Sequence, residues 1–275
     1  MKILGISTSR RKWGNTDLLV ASVLKAGAME GAEVKLLRPA DLDLKPCNGC
    51  MRCVFKGCDC VIEDRFSEVY EALRWADAVV LGAPTYVLTP NSVQKNVQDR
   101  LIQLGRSHEM RGKLGLCVVT AGIPAWEGFA LELATQQLLF LGIKVIDRFV
   151  GHAQGPGEIL DDAAALGRAA RGGRALAKGE GAYLGEPGIC PVCNLDLVTV
   201  APGGRGRCQI CDIEGEIHNG RLTPPVGALS RLERAMVDHH FNERVLPSGP
   251  RFKERVKEYL TRTAEFRRGF EEVAK

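Results

Sequence analysis

The feature that most constrains the fold of this chain is a regular alternation of short apolar runs with stretches of helical periodicity over its first 178 residues. Continuous apolar runs of strand length occupy residues 3–6, 78–81, 114–119 and 143–146, as in strands that are buried on both faces. Residues 33–36 alternate polar and apolar side chains instead, which is typical of a less buried edge strand. The pattern predicts five parallel strands.

Helical periodicity fills the segments between these runs. Apolar side chains recur at three- and four-residue spacing within residues 18–26, 66–73, 93–104, 127–141 and 163–177. Parallel strands need crossover connections, and such crossovers are right-handed. We therefore predict an α/β fold of three layers, with a doubly wound parallel sheet of five strands in the order 2-1-3-4-5.

The alternation of strand and helix patterns ends near Gly179, and two segments of different composition follow. Residues 179–224 are rich in cysteine and glycine, and Pro224 and Pro225 mark a hinge. Two amphipathic helices are expected in residues 225–275, with apolar stripes for packing or a dimer surface at Leu229, Leu232 and Met236 and at Phe252, Val256, Tyr259, Leu260 and Phe266. We therefore predict three parts, with boundaries at residues 1–178, 179–224 and 225–275.

Bulk composition excludes several classes of protein. Hydrophobic residues make up 45% and charged residues 25% of the 275 residues, which is the composition of a globular chain and not of a disordered one. A formal net charge of +4 is too small to indicate nucleic-acid binding. The longest apolar stretch, at 114–121, is far shorter than the roughly 18 residues of a membrane helix, and Met1 and Lys2 lead into a strand without a secretory pattern. We expect a cytoplasmic protein that binds neither nucleic acid nor membranes.

The loop after the first strand, residues 7–16, has the chemistry of a phosphate-binding loop. It combines hydroxyl groups, Arg11, Gly14 and an Asn–Thr pair immediately before a helix, whose N-terminus offers free N–H groups and a positive dipole end. The loop lacks both the Walker A spacing and the G-x-G-x-x-G pattern, which favours a monophosphate such as FMN. The alternative is an ordinary turn in which Asn15 or Thr16 caps the helix.

Two further loops are expected at the same edge of the sheet. Residues 82–87 end the third strand and residues 120–122 end the fourth, and the carboxyl ends of parallel strands are where such folds bind ligands. Tyr86 offers an aromatic face to a flavin ring, and Pro84 and Gly122 allow close approach of the backbone. The alternative is a rigid turn with a buried tyrosine.

Together the three loops resemble those of the NADPH-dependent FMN reductase branch of the flavodoxin-like superfamily, above all in residues 3–16. The resemblance implies a flavodoxin-like FMN-binding domain over residues 1–178. The expected cofactor-binding residues on the phosphate side are Ser7, Ser9, Arg11, Asn15 and Thr16, and those around the ring are Pro84, Thr85, Tyr86, Val87, Thr120, Ala121 and Gly122. Three features depart from the family pattern: Thr8 replaces a usual glycine, Val87 replaces a common aromatic residue, and residues 123–128 are not glycine-rich.

Five of the ten cysteines lie in one short segment. Cys47, Cys50 and Cys53 form C-x2-C-x2-C, and Cys58 and Cys60 follow. This compact run favours a [4Fe–4S] cluster over zinc, because structural zinc sites usually bring two separated pairs. The loop resembles that of the iron–sulfur flavoproteins, in which either Cys58 or Cys60 qualifies as the fourth ligand and residues 61–64 favour Cys60. The alternative is a loop of packed or redox-sensitive thiols without a cluster.

Four more cysteines form two knuckles. Cys190 and Cys193 are separated from Cys208 and Cys211 by 14 residues, a spacing close to that of zinc ribbons. The alternative is a rubredoxin-like iron site, but rubredoxins usually carry glycine after each knuckle. We favour structural zinc that holds the 179–224 module together.

The resemblance implies an FMN-dependent oxidoreductase that passes electrons between a ferredoxin or NAD(P)H and an acceptor that the sequence does not identify. It also implies a homodimer or homotetramer. The alternatives are an NAD(P)H-dependent FMN or quinone reductase without a cluster, and a non-catalytic electron carrier. No side chain is singled out as catalytic, because the cofactors supply the redox chemistry.

Overall fold

A computed structural model describes residues 1–273 of the chain. The strands of the main sheet are β1 (Lys2–Ser7), β2 (Glu33–Leu37), β3 (Ala78–Tyr86), β4 (Thr89–Pro90), β5 (Leu114–Ala121) and β6 (Lys144–His152). The order is β2-β1-β3-β5-β6 with all neighbours parallel, and the short β4 pairs antiparallel with β3. The predicted doubly wound, flavodoxin-like order 2-1-3-4-5 is therefore confirmed for the five long strands.

Helices cover both faces of this sheet. They are α1 (Asn15–Met29), α3 (Ser67–Trp75), α4 (Ser92–Arg100), α5 (Ile102–Ser107), α6 (Ala130–Phe140) and α7 (Ala163–Lys178). The short α2 (Arg52–Lys56) packs instead against α5 and the C-terminal tail through Val54. Alternate strand residues feed two cores: Ile3 packs with α1 and α7, whereas Leu4 packs with α3, α4, α5 and α6. Because the five long strands are parallel, their carboxyl ends lie at one edge of the sheet, between the two helical layers.

The predicted helix over 93–104 is interrupted. Leu101 leaves helical geometry, so α4 ends at Arg100 and α5 begins at Ile102. The carbonyl of Arg100 accepts a hydrogen bond from the hydroxyl of Tyr70 at 2.6 Å. Periodicity could not reveal this break, because it depends on a partner 30 residues away.

The C-terminal part contains a second sheet and the tail. Its antiparallel strands are β7 (Val198–Val200), β8 (Arg205–Cys208), β9 (Glu214–His218) and β10 (Arg221–Thr223), in the order β10-β9-β8-β7. A helix α8 (Arg234–His239) runs through a π-helical segment (His240–Val245) towards α9 (Ser248–Val273).

The predicted start of the first tail helix was wrong. Leu229 and Leu232 precede α8, and only Met236 lies on it. The backbone here bonds elsewhere, because Arg231 N donates to the carbonyl of Cys211 at 2.8 Å and Leu232 N donates to the hydroxyl of Ser230. Over residues 1–273, no helix combines the length and the apolarity that crossing a membrane requires.

Candidate functional site

A cleft opens where β1, β3 and β5 end. It has a volume of about 200 Å³ and is lined by Ser9, Arg11, Gly14, Asn15, Thr16, Pro84, Thr85, Tyr86, Thr120, Ala121, Gly122, Ala153 and Gln154. The fold thus brings together every predicted cofactor residue except Ser7 and Val87. Val87 instead lines an adjoining cavity of about 480 Å³, which shares Thr85 and Gly122 with the cleft.

The amino end of α1 faces this cleft and is suited to an anion. Gly14 is the N-cap in extended conformation, and within the described chain no side chain caps the first-turn N–H groups. A Cβ atom at Gly14 would come within 3.0 Å of the Arg11 side chain, so glycine permits the tight path of the loop. Uncapped N–H groups at a helix N-terminus, with a positive dipole end, fit the phosphate of FMN.

A buried ion pair supports the phosphate-binding loop on the side away from the cleft. Asp17, which is 1% exposed, pairs with Arg38 and accepts hydrogen bonds from the hydroxyl of Ser7 and from Trp13 N. Arg38 also donates to the carbonyls of Ser9 and Arg11 at 3.2 and 3.3 Å. The Ser7 hydroxyl is therefore engaged with the ion pair and does not face the cleft.

Sequence reasoning missed this pair. The available signal was an aspartate in the first turn of a helix expected to bind an anion. Such a carboxylate needs a cation, and Arg38 directly follows the strand that pairs with β1.

Asn15 and Thr16 connect the phosphate loop to neighbouring segments. The Asn15 side chain donates to the carbonyl of Gly155 at 2.9 Å and accepts from Gly157 N at 2.9 Å. It thereby positions the loop after β6, which sequence reasoning did not include in the site. Thr16 and Thr120 share a buried hydroxyl–hydroxyl bond of 2.6 Å. These side chains shape the cleft wall.

Thr85 carries the clearest sign that the cleft receives a ligand. Its Oγ1 is buried but finds no hydrogen-bond partner among residues 1–273. A buried hydroxyl without a partner costs about 1–3 kcal/mol, so such groups are normally satisfied by a ligand or water. Its position between the cleft and the adjoining cavity fits the polar edge of a flavin ring.

A strained hairpin borders the adjoining cavity. Val87 and Leu88 connect β3 to β4 with φ angles of +49° and +63°, the backbone of a two-residue turn that normally carries Asn–Gly. A β-branched residue at positive φ is a genuine outlier, and such strain clusters at functional sites. Phe129 N donates to the Leu88 carbonyl at 2.7 Å, which fastens the hairpin to the loop that carries Trp126.

The cysteine loop lies beside α4 and α5. Cys47 and Cys50 are exposed, whereas Cys53, Cys58 and Cys60 are partly buried. Burial raises the pKa of the Cys53 thiol, and the neighbouring thiols at 60, 50 and 47 raise it further. Cys53 thus lies close enough to Cys47, Cys50 and Cys60 for their charges to influence it. Among residues 1–273, however, these five sulfurs do not converge within the reach of a single ion.

This donor set is chemically that of an iron–sulfur cluster. Cluster irons are held by cysteine thiolates, and the loop offers five thiols and no histidine. Its one carboxylate, Asp59, is engaged by Arg74 through both oxygens, at 2.7 and 2.8 Å. The residues therefore fit a cluster by donor type.

The ribbon cysteines do converge. Cys190, Cys193, Cys208 and Cys211 are buried, and their sulfurs all lie within 4.8 Å of one another. Pairs of sulfurs are separated by 3.4 and 3.6 Å. A tetrahedral ion with Zn–S bonds of about 2.3 Å needs sulfurs about 3.8 Å apart, so the residues fit zinc.

The knuckle backbone explains how the four sulfurs converge. Asn194 and Asp212, which follow the two knuckles, have φ angles of +56° and +66°. Their N–H groups donate to the carbonyls of Cys190 and Cys208 at 2.9 and 3.0 Å, which closes both turns. Asparagine and aspartate tolerate this conformation better than most residues.

Arg148 on β6 joins the ribbon to the main sheet. It donates to a carboxylate oxygen of Glu132 at 2.6 Å, to the carbonyl of Asn194 at 2.8 Å and to Asp196 at 2.9 Å. Burial raises the pKa of Glu132, although the neighbouring Arg148 acts in the opposite direction. This buried junction lies beside a cavity of about 520 Å³ that extends to Gly128 and Phe129.

Comparison with known proteins agrees with this geometry. The model of the NADPH-dependent FMN reductase family matches residues 1–156. An iron–sulfur flavoprotein of Methanocaldococcus jannaschii is 39% identical over 115 residues, a segment that covers 42% of this chain and 59% of that relative. A flavone synthase of Aspergillus candidus is 27% identical over 257 residues, covering 80% and 79% of the two chains. The solved structure of a flavone reductase superposes with a TM-score of 0.78 at 22% identity and covers 97% of both chains.

The family match spans more than half of the chain and contains every residue that lines the cleft, including Ala153 and Gln154 near its end. The flavone reductase structure shares the fold over almost the entire length, including the ribbon and the tail. Cleft chemistry and family match agree, and the chain belongs to the NADPH-dependent FMN reductase family of flavin-dependent oxidoreductases.

Proposed function

We propose that this protein is an FMN-dependent oxidoreductase that passes electrons between NAD(P)H or a ferredoxin and a separate acceptor. The observation that carries the proposal is the meeting, in one cleft, of the uncapped amino end of α1 with the unpartnered buried hydroxyl of Thr85. These groups match the two polar ends of FMN, its phosphate and its ring edge.

The residues of the cleft divide between these two ends. The first-turn N–H groups of α1, with Ser9 and Arg11, would bind the phosphate, while Asn15 holds the adjacent wall. Thr85 and the backbone at Gly122 would contact the ring. FMN supplies the capacity to accept a hydride equivalent and to release electrons singly.

We further propose that Cys47, Cys50, Cys53 and Cys60 bind a [4Fe–4S] cluster, with Cys58 as a spare thiol. The donor type, the compact spacing and the likeness to iron–sulfur flavoproteins support this assignment. A cluster transfers single electrons, which suits a ferredoxin partner. Thiolate ligands also need a reducing compartment, which supports a cytoplasmic location.

The remaining parts have structural roles in this proposal. Residues 1–178 form the FMN-binding domain, and residues 179–224 form a ribbon that zinc holds together through its four buried cysteines. Residues 225–275 supply the oligomer surface of a homodimer or homotetramer. In support, α9 is 26 residues long and none of its described residues is buried, while Phe252, Phe266 and Phe270 are more than half exposed.

A second candidate is reduction of a planar aromatic substrate such as a flavonoid. Two relatives that resemble the chain over most of its length are a flavone synthase and a flavone reductase. The cavity beside the cleft is lined by Val87, Leu88, Ile123 and Trp126, with Trp126 66% exposed, and would suit a flat apolar molecule stacked near the ring. This candidate needs the same FMN site but no cluster.

The two candidates separate on anaerobically purified protein. FMN, iron, acid-labile sulfide and zinc are measured per chain, and NAD(P)H oxidation is followed with a quinone or a flavone as acceptor. About four irons per FMN support the cluster. FMN without iron, after anaerobic reconstitution, would refute the cluster, and the acceptor that supports NAD(P)H oxidation would then separate a quinone reductase from a flavone reductase.

The FMN site is tested with a matched pair of variants. Thr85→Val removes the unpartnered hydroxyl, whereas Thr85→Ser retains it. We expect Thr85→Val to weaken FMN binding about tenfold, the loss of one hydrogen bond of about 1.4 kcal/mol, and to stabilise the FMN-free protein. Unchanged FMN affinity in Thr85→Val would contradict the proposed ring position.

A further inference from the structure

Arg100 is a buried arginine whose guanidinium contacts both ends of the cysteine loop. Only 1% of the residue is exposed. Its Nε donates to Cys60 Sγ at 3.3 Å, and its two Nη atoms donate to the carbonyls of Lys45 and Ile62 at 3.0 and 3.4 Å and to both carboxylate oxygens of Asp64. All five guanidinium N–H groups are therefore engaged with the segment that flanks the cysteines.

The orientation of this guanidinium is fixed by its surroundings. Its central carbon lies 4.1 Å from the ring centre of Phe66. The Tyr70 hydroxyl donates to the Arg100 carbonyl at 2.6 Å and accepts from Cys60 N at 3.2 Å. The same network thus holds the backbone of Cys60 and aims a charged donor at its sulfur.

Cys58 has no comparable environment. Its sulfur contacts the carbonyl of Arg52 at 3.8 Å, a weak interaction in which the thiol is the donor. A thiolate at Cys58 would lose that bond, whereas a thiolate at Cys60 would receive a charge-assisted one from Arg100. The two candidates for the fourth ligand therefore differ in what the protein offers to an anionic sulfur.

The charge balance leads to the same conclusion. The two carboxylate oxygens of Asp64 accept hydrogen bonds from the two Nη atoms of Arg100. The Nε–H of Arg100 therefore donates only to the sulfur of Cys60. An N–H donor directed at a ligand sulfur withdraws negative charge from it, and hydrogen bonds to ligand sulfurs are among the factors that set cluster potentials. A cationic donor favours the reduced, more negative state.

We infer that Arg100 is a positioning residue that holds Cys60 as the fourth cluster ligand and raises the reduction potential of the cluster. The inference rests on the cluster of the proposed function. It assigns a role to a residue outside the cysteine motif.

The test compares Arg100→Lys with Arg148→Lys, a change at another buried arginine that contacts carboxylates and a carbonyl but no sulfur. Iron per FMN and the EPR-monitored midpoint potential are measured on anaerobic holoprotein. In Arg100→Lys we expect either loss of iron with FMN retained, or a roughly tenfold less favourable reduction, about 59 mV more negative for one electron. Arg148→Lys should change neither value. A loaded cluster with unchanged potential in Arg100→Lys would overturn the inference.

Two further measurements keep the test decisive if Arg100→Lys does not fold. Pulsed EPR of the reduced wild-type protein labelled with ¹⁵N-arginine should detect a nitrogen coupled to the cluster, and absence of coupling would count against the contact. Cys58→Ser should keep its iron and Cys60→Ser should lose it. If Cys58→Ser loses its iron and Cys60→Ser keeps it, the role of Arg100 is refuted but the cluster is not. If the wild-type protein takes up no iron, the cluster is refuted as well.

Discussion

Replacing Arg38 with methionine will leave the carboxylate of Asp17 buried without its cation. Asp17 is 1% exposed and the Arg38 side chain 12% exposed, so water cannot replace the lost partner fully. Removing one member of a buried pair costs about 3–5 kcal/mol, and the partial exposure of Arg38 places the expected loss near 3 kcal/mol. For a domain of this size, that loss lowers Tm by about 6–12 °C.

The same change should weaken FMN binding. The carbonyls of Ser9 and Arg11 lose their donor, and an uncompensated negative charge remains in the first turn of the helix that receives the phosphate. We expect at least a tenfold rise in Kd, about 1.4 kcal/mol, measured by fluorescence titration of the FMN-free protein.

The assay includes a control and a compensating variant. Arg65→Met breaks an exposed pair with Glu68, in which the two side chains are 60% and 42% exposed, and should cost less than about 1 kcal/mol. The double variant Asp17→Asn with Arg38→Met removes both charges and should recover about 1–3 kcal/mol relative to additivity. If Arg38→Met is no more destabilising than Arg65→Met, the argument for a charge-balanced phosphate loop is refuted.

Three other outcomes follow from the structure. Removing the proposed ribbon zinc by chelation, or mutating Cys193 to serine, should unfold residues 189–223 while residues 1–178 stay folded, which hydrogen exchange resolves by segment. Protection of both parts after metal loss would contradict a structural metal. A hydrogen bond from Arg74, with a second from the Ser107 hydroxyl, holds the pKa of Glu109 below its ordinary value of 4.5, so the pair stabilises the protein above that pH and the contribution disappears as pH falls through the lowered pKa. Glu109→Gln should therefore cost under about 1 kcal/mol at pH 7 and progressively less as the pH falls below 4.5, by urea denaturation; a cost that does not change with pH would contradict this. Deleting residues 248–275 should reduce the proposed homodimer or homotetramer to monomers in sedimentation velocity, and an unchanged sedimentation coefficient per chain mass would contradict a role of α9 in the oligomer interface.

Several elements were predictable because their signals are local. The apolar runs of β1, β3 and β5 and the periodicity of α1 and α7 set the parallel sheet and its order, since right-handed crossovers leave few topologies. Once the order is known, the carboxyl ends of the strands must meet, and ten predicted residues line one cleft for that reason. The spacing of the ribbon cysteines likewise predicted a convergence that the structure contains.

Other features depended on contacts between distant parts of the chain. Asp17 and Arg38 are 21 residues apart, and Arg100 and Cys60 are 40 apart, so no periodicity or motif links them. The break between α4 and α5 likewise depends on Tyr70. Burial creates these interactions, because a charged or polar group removed from water must find its partner wherever the fold brings one.

The amino-acid sequence alone determined the sheet, the location of the cofactor cleft and the two groups of cysteines, because strand periodicity, loop chemistry and ligand spacing are written in consecutive residues. Only the tertiary structure decided which buried charges neutralise one another, which hydroxyl is left for a ligand and which arginine contacts Cys60. The physical reason is that a pattern specifies which face of an element is buried, whereas hydrogen bonds and ion pairs depend on distances that exist only after the elements have packed.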